Sequence, residues 1–397
     1  MSIKEFIRSR LEKMRLRNSH TRDIGDIGLP EVIEIEPTNT CNLRCRMCHV
    51  SYMEHVQMKS LDTLLLPKLE PLKGKWAVVG SNFEPAMHPQ FVKIIQYLSD
   101  MECKIDLATN GTMLTKKMTD QIADSNIKNA TISFDGIRKE TYENIRRGAK
   151  YGAAMERILY FRESLKHKAT FFAINSVLMQ SNIDELIESI DFWDSRDFDQ
   201  LRLIFMVLRS LDDDLLRESL YPVREYAFQK LDEAAEHVIN NNLKITLSSP
   251  YFNWSKLRDS YPDNIVANLV KSSNPNSREY FNPRHHFQNG PYPGMKVDCR
   301  SPFTFARIMW NWDVQLCYKY TVGNLNEQDF EDIWYGKKAQ RLRRTVMVNP
   351  DICHACDYLR LCLSSTKIDV NDKINYFQQN LIKDAQHIDF DSLVPYA

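Results

Sequence analysis

Glu36-Pro37-Thr38-Asn39-Thr40-Cys41-Asn42-Leu43-Arg44-Cys45-Arg46-Met47-Cys48-His49 sets three cysteines into one short loop, directly after the β-like run Val32-Ile33-Glu34-Ile35. A strand that runs into such a loop offers three thiolates from one sheet end to one metal centre. The residue types leave two readings open. A 4Fe-4S cluster held by Cys41, Cys45 and Cys48 keeps one iron free for a small molecule, whereas His49 as a fourth ligand would make a structural zinc site. Scattered cysteines also serve simply as small buried hydrophobes.

Working outward, strand-like runs alternate with stretches that have apolar residues at helical spacing. The strands are expected over 32–36, 76–80, 104–109, 130–135, 170–179 and 201–207. The helices between them are expected over 61–72, 91–101, 115–125, 139–166 and 183–193. This alternation means parallel βαβ units. Units of this kind, with the cysteine loop after the first strand, fit a partial, TIM-like (β/α)6 barrel whose ligands bind at the carboxyl ends of the strands. A long helix over 212–238 and a further strand over 243–247 come next.

Successive strand ends carry polar, turn-forming residues: Gly80-Ser81-Asn82-Phe83-Glu84-Pro85, then Ala108-Thr109-Asn110-Gly111-Thr112, then Ser133-Phe134-Asp135-Gly136. Each alone is ordinary turn chemistry. Taken in order behind the cysteine loop, they resemble the glycine-rich Glu-Pro, Thr-Asn-Gly and Ser-x-Asp-Gly loops of the radical S-adenosylmethionine (SAM) superfamily, whose signature is cysteine-x3-cysteine-x2-cysteine. The resemblance implies that the free iron chelates the amino and carboxylate groups of SAM, and that an electron from the cluster releases a 5'-deoxyadenosyl radical. It also implies that Glu84 meets the SAM amino group, that Asn110 lies near the ribose, and that Ser133 helps hold the cofactor, with Asp135 beside it. Asn175, on the fifth strand, is either a further rim contact or a structural amide. The Glu-Pro loop departs from the commoner Gly-Gly-Glu pattern at Asn82 and Phe83.

The last third holds the second signal. Cys299 and Cys317 flank an expected hairpin, 303–309 turning through Asn311-Trp312-Asp313 to 314–316, and a helix over 330–344 leads to Cys353-His354-Ala355-Cys356 and Cys362. With Gly323-Asn324-Leu325 and Asp332-Ile333-Trp334, this resembles the SPASM or twitch extension of radical SAM enzymes. The resemblance implies one auxiliary 4Fe-4S cluster on Cys299, Cys317, Cys353 and Cys356, hence two clusters in all. Cys362 is then a spare ligand, a hydrogen donor to the substrate or a packed thiol. Zinc is the alternative occupant here too. Cys103 reads as a buried hydrophobe.

The expected organisation is an N-terminal helical extension over 1–29, the barrel over 30–249, an irregular aromatic-rich linker or substrate-covering loop over 250–294, the SPASM/twitch domain over 295–365 and a tail over 366–397. Lys plus Arg equals Asp plus Glu at 52 each, so no global field draws the chain to nucleic acid or a membrane. The basic, amphipathic segment from Lys4 to Arg17 reads as a solvated helix packed on the barrel. No apolar run approaches the length of a membrane span, no export signal is visible, and nine cysteines clustered at metal-like spacings suit a cytoplasmic, thiolate-binding protein.

For function, the resemblance implies hydrogen abstraction from an unactivated carbon of a small-molecule substrate, for instance a sugar-derived one, ending in oxidation or epimerisation. The electron would come from a donor such as flavodoxin or ferredoxin. A peptide-modifying maturase is the alternative; the other class is a non-catalytic iron-sulfur or zinc scaffold.

Overall fold

The computed structural model describes residues 27–53, 57–168, 170–206, 213–220, 222–249, 260, 301–316 and 320–348. The expectations for the N-terminal extension, for nearly all of the 250–294 segment, for Cys299, Cys317, Cys353, Cys356 and Cys362, and for the tail lie outside the described residues.

Ten strands form one sheet among the described residues: β1 (Val32–Ile35), β2 (Trp76–Val79), β3 (Lys104–Thr109), β4 (Ile127–Ser133), β5 (Phe171–Leu178), β6 (Gln200–Phe205), β7 (Thr246–Ser248), β8 (Phe305–Ile308), β9 (Asp313–Gln315) and β10 (Thr321–Asn324). Their order is β10-β9-β8-β1-β2-β3-β4-β5-β6-β7. From β1 to β7 every pairing is parallel. The expected (β/α)6 arrangement is therefore present, as a partial barrel. β8 adds to the free edge of β1, also in parallel, while β8–β9 and β9–β10 pair antiparallel as the expected hairpin and its continuation.

Period-two alternation divides the sheet. Ile33, Ile35, Ala77, Val79, Ile105, Leu107, Ala130, Ile132, Phe172, Ile174, Leu201 and Leu203 belong to one continuous core with the helices. The opposite face mixes polar and charged residues with a few apolar ones. Register places Glu34, Val78, Asp106 and Asn129 in one row, and Ser133, Asn175 and Arg202 in another. Polar side chains therefore stand on the inside of the barrel at Glu34, Asp106, Asn129, Ser133, Asn175 and Arg202.

Four expected helices depart from a single α-helix, each for a local reason. The 61–72 stretch is a 3-10 helix over Thr63–Leu72, because Pro67 and Pro71 lack the N–H that an α-ladder needs. The 139–166 stretch is two helices, Lys139–Ile145 and Tyr151–Ser164, with Gly148 at φ 97° between them. Downstream, Asp213–Glu218 and Arg224–Asn240 flank Pro222, and Phe330–Trp334 and Lys337–Val348 flank Gly336. A Cβ at Gly336 would stand 2.6 Å from the carbonyl oxygen of Asp332.

Candidate SAM and cluster site

The cysteine loop is held by backbone bonds to the break at Gly148. Arg44 N donates to Arg147 O and Arg46 N to Ile145 O, both at 2.9 Å, so carbonyls that a continuous helix would have used inside itself are free to dock the loop. Arg46 Nη1 pairs with Glu218 Oε1 at 2.6 Å. Inside the loop, Arg44 Nη1 donates to Cys41 O at 2.7 Å and Ser51 Oγ to Cys45 O at 2.7 Å. The three thiols are not in disulfides. Burial raises the pKa of Cys41, and pushes Cys45 up to about 12. Thiolates there need a cation to compensate them, and a bound iron-sulfur cluster would supply it. Among the described residues, no three His, Cys, Asp or Glu side chains converge on a point as one ion would need.

Glu84 lies at the mouth of β2 and is 2% exposed. Its Oε1 accepts from Thr109 Oγ1 at 2.7 Å and from Ala86 N at 3.2 Å, and its Oε2 accepts from Asn110 N at 2.7 Å. Burial raises its pKa, and those three donors pull it back. A carboxylate so oriented still has lone pairs for an incoming ammonium group. Asn110 Nδ2 reaches Asn42 Oδ1 at 3.0 Å and Cys41 Sγ at 3.7 Å, and Asn42 Nδ2 donates to Thr112 Oγ1 at 2.9 Å. The Thr-Asn-Gly loop and the cysteine loop therefore meet directly.

Ser133 and Asn175 are partners across β4 and β5 on the polar face, next to Arg202 on β6. Asn175 Oδ1 is buried with no hydrogen-bond partner among the described residues. Asp135 stands apart from this row. It is fully buried, its Oδ1 accepts from Val177 N at 2.7 Å, and its Oδ2 lies 2.7 Å from Arg146 Nη2. Burial opposes the Arg146 cation, and the Asp135 carboxylate beside it more than offsets this and holds its pKa up. In this arrangement Asp135 anchors a cation beside the cysteine loop. Phe83, at a position where glycine is commoner, meets the His49 ring edge-on at 6.1 Å.

Arg146, Asn42 and Thr109 were not singled out in the sequence. The Arg146-Arg147-Gly148 run inside a helical pattern is the one signal that marks the docking break.

A parallel partial barrel, a three-cysteine loop after its first strand and a buried glutamate after its second define an enzyme class that binds SAM at a cluster. Residues 35–192 match the radical SAM superfamily, and residues 299–357 match SPASM, an iron-sulfur cluster-binding domain. The chain belongs to the radical SAM superfamily and carries a C-terminal SPASM domain. It is 25% identical over 348 residues to the AdoMet-dependent heme synthase of Methanosarcina barkeri, covering 85% of this chain and 92% of that protein. It is 21% identical to the Fe-coproporphyrin III synthase of the same organism, over 83% of this chain and 82% of that one. The PqqA peptide cyclase of Bradyrhizobium diazoefficiens is 24% identical over 44% of this chain and 46% of its own length. Among solved structures, Streptococcus suis SuiB bound to S-adenosylmethionine superposes with a TM-score of 0.58, 15% identity, and coverage of 91% of this chain and 78% of that one. The enzyme anSMEcpe with bound AdoMet gives 0.56, 17% identity, and coverage of 91% and 97%. Among the described residues no helix is long and apolar enough to cross a membrane.

Proposed function

We propose that this radical SAM enzyme acts on a small-molecule substrate, abstracting hydrogen from an unactivated carbon and completing an oxidation or an epimerisation. The cluster, when bound, supplies the electron that breaks a carbon-sulfur bond of SAM and generates the hydrogen-abstracting 5'-deoxyadenosyl group. Cys41, Cys45 and Cys48 hold it. Glu84 receives the SAM amino group, Asn110 orients the cofactor beside the cysteine loop, and Ser133 and Asn175 hold it from the opposite strands. The observation that carries this reading is the contact chain Glu84–Asn110–Cys41, which ties the carboxylate of one strand end to the thiol of another.

Two further observations support a small substrate. On the inner barrel face Asp106, Asn129, Thr131 and Arg202 bond one another in a polar cluster, a lining that suits a polar, oxygen-rich molecule better than an apolar one. The likeness that extends over most of both chains is to enzymes named for heme and Fe-coproporphyrin III synthesis, and the match to a peptide cyclase is partial. Cys299, Cys317, Cys353 and Cys356 all fall inside the 299–357 match, which supports them as ligands of one auxiliary cluster and a total of two.

The test is anaerobic reconstitution, reduction with dithionite or a flavodoxin- or ferredoxin-type donor, and measurement of 5'-deoxyadenosine with candidate substrates. Substrate-dependent release in deuterated water should leave no deuterium in an oxidised product, or one at an inverted carbon. Cross-linked or otherwise modified peptide as the sole product would replace the small-molecule reading.

A further inference from the structure

Arg307 lies on β8, inside the region that matches the iron-sulfur cluster-binding domain, yet its side chain faces the barrel. Register sets it opposite Glu34 on β1. Its Nε stands 2.8 Å from Glu34 Oε1, and its Nη2 stands 2.9 Å from Glu36 Oε1. All three side chains are buried, at 3% exposure for Arg307 and Glu34 and 0% for Glu36. One cation thus bridges two carboxylates across the edge where the second domain joins the first.

The bridge continues into the SAM pocket. Glu36 Oε1 also accepts from Asn82 N at 2.8 Å, which fixes the loop that carries Glu84. Glu84 N donates to Thr40 O at 3.2 Å, Glu84 Oε2 accepts from Asn110 N at 2.7 Å, and Asn110 Nδ2 reaches Cys41 Sγ at 3.7 Å. The path from Arg307 to Cys41 runs through these hydrogen bonds and, between Asn82 and Glu84, through two peptide bonds of the loop.

We propose that Arg307 is a positioning residue for SAM: the auxiliary domain uses it to set the Glu36–Asn82 contact and thereby the place of the Glu84 carboxylate. The proposal rests on the reading of Glu84 as the group that meets the SAM amino group. Without the guanidinium, Glu34 and Glu36 face each other as two buried acids, and Glu36 has no reason to keep its present orientation. The Glu84 loop then loses the bond that holds Asn82.

The experiment uses the full chain, reconstituted anaerobically, with SAM as the probe. Arg307→Met should weaken SAM binding about three- to thirtyfold, raise the KM for SAM in 5'-deoxyadenosine release with kcat little changed, and leave iron per chain as in wild type. The electron paramagnetic resonance spectrum of the reduced first cluster should need correspondingly more SAM to shift. Arg307→Lys keeps the charge but not the fork, and should fall between the two. It also serves if the Met variant does not fold. Lys68, which bonds Leu325 O across the same two regions, is the control. Lys68→Met should leave SAM affinity unchanged, whereas a loss equal to that of the Arg307 variants would show general loosening and overturn the proposal. Wild-type SAM affinity in both Arg307 variants would also overturn it, as would a fall in iron and kcat with KM unaltered. Glu84→Gln distinguishes failure of the positioning role from failure of the Glu84 assignment. Undiminished SAM binding in that variant removes the reading of Glu84 itself, whatever the Arg307 variants do.

Discussion

At the residue scale, buried charge is concentrated where the barrel meets its cofactors, and each buried group has a partner whose loss is measurable. Burial lifts Glu36 to about 7, against the pull of Arg307 and with a further push from Glu34. A carboxyl whose folded pKa lies above its unfolded value near 4.5 binds a proton more readily in the folded state. Its favourable contribution is complete below that lower value and is lost as pH rises through the folded one. Glu36→Gln removes this dependence. Urea unfolding at about pH 5 and about pH 8 should show wild type losing stability relative to the variant, by on the order of 3 kcal/mol for a shift of this size. An equal difference at both pH values would contradict it. Asp135 and Arg146 give the complementary case, a pair joined at 2.7 Å. Asp135→Ala strands a buried guanidinium and should destabilise by about 3–5 kcal/mol, with a smaller effect for Asp135→Asn. The carboxylate of Asp135 was legible in the sequence, since the Ser-x-Asp-Gly pattern marks it. Its partner was not, because a buried arginine in a helical run looks like any solvated one until tertiary packing closes over it.

At the scale of elements, loops at strand ends require backbone conformations that only particular residues supply. Gly80 has φ +78°, and a Cβ there would come within 2.6 Å of Pro85 Cγ and 2.7 Å of the Ala108 carbonyl oxygen. Gly80→Ala should cost about 1–3 kcal/mol and displace the segment that leads to Glu84. Gly152, in the helix Tyr151–Ser164 with nothing within 4 Å of its would-be Cβ, is the matched control. Gly152→Ala should be neutral or stabilise by up to about 1 kcal/mol. Urea midpoints of the two variants check both. The strands were well legible, because buried parallel strands are short apolar runs bounded by turns. The helix interruptions were less so. Apolar spacing continues across Gly148 and Gly336, and periodicity alone does not register that a carbonyl has been handed to another loop. Pro67, Pro71 and Pro222 were visible as breakers, but an apolar face spanning them outweighs a proline in a pattern reading.

For the whole molecule, the joining of β8 to β1 places a strand of the region that matches the iron-sulfur cluster-binding domain on the barrel edge whose strand leads into the first cysteine loop. Sequence showed a hairpin there but not its edge, since parallel addition of a distant strand leaves no local mark. The ligand sets nevertheless remain separate in the chain, and each cluster should be lost independently of the other. Reconstituted wild type should hold about eight irons in two 4Fe-4S clusters. Replacing Cys41, Cys45 and Cys48 together with alanine should leave about four and abolish SAM cleavage. Stoichiometric zinc at either site, or retained cleavage in the triple variant, would refute the assignment. Cys362 bears on the fate of the substrate radical after hydrogen abstraction. It falls beyond residue 357, where the cluster-binding match ends, so Cys362→Ala should keep the full iron content, and loss of iron would make it a ligand. With iron retained, the variant separates the two reactions by chemistry. An epimerase must return a hydrogen atom to the substrate radical, and a thiol is the donor whose removal stops turnover after one abstraction. In an oxidation the substrate radical would lose a proton to a base or to solvent, and an auxiliary cluster, if bound, would take its remaining electron, so Cys362→Ala should turn over as wild type does and place no solvent deuterium in the product.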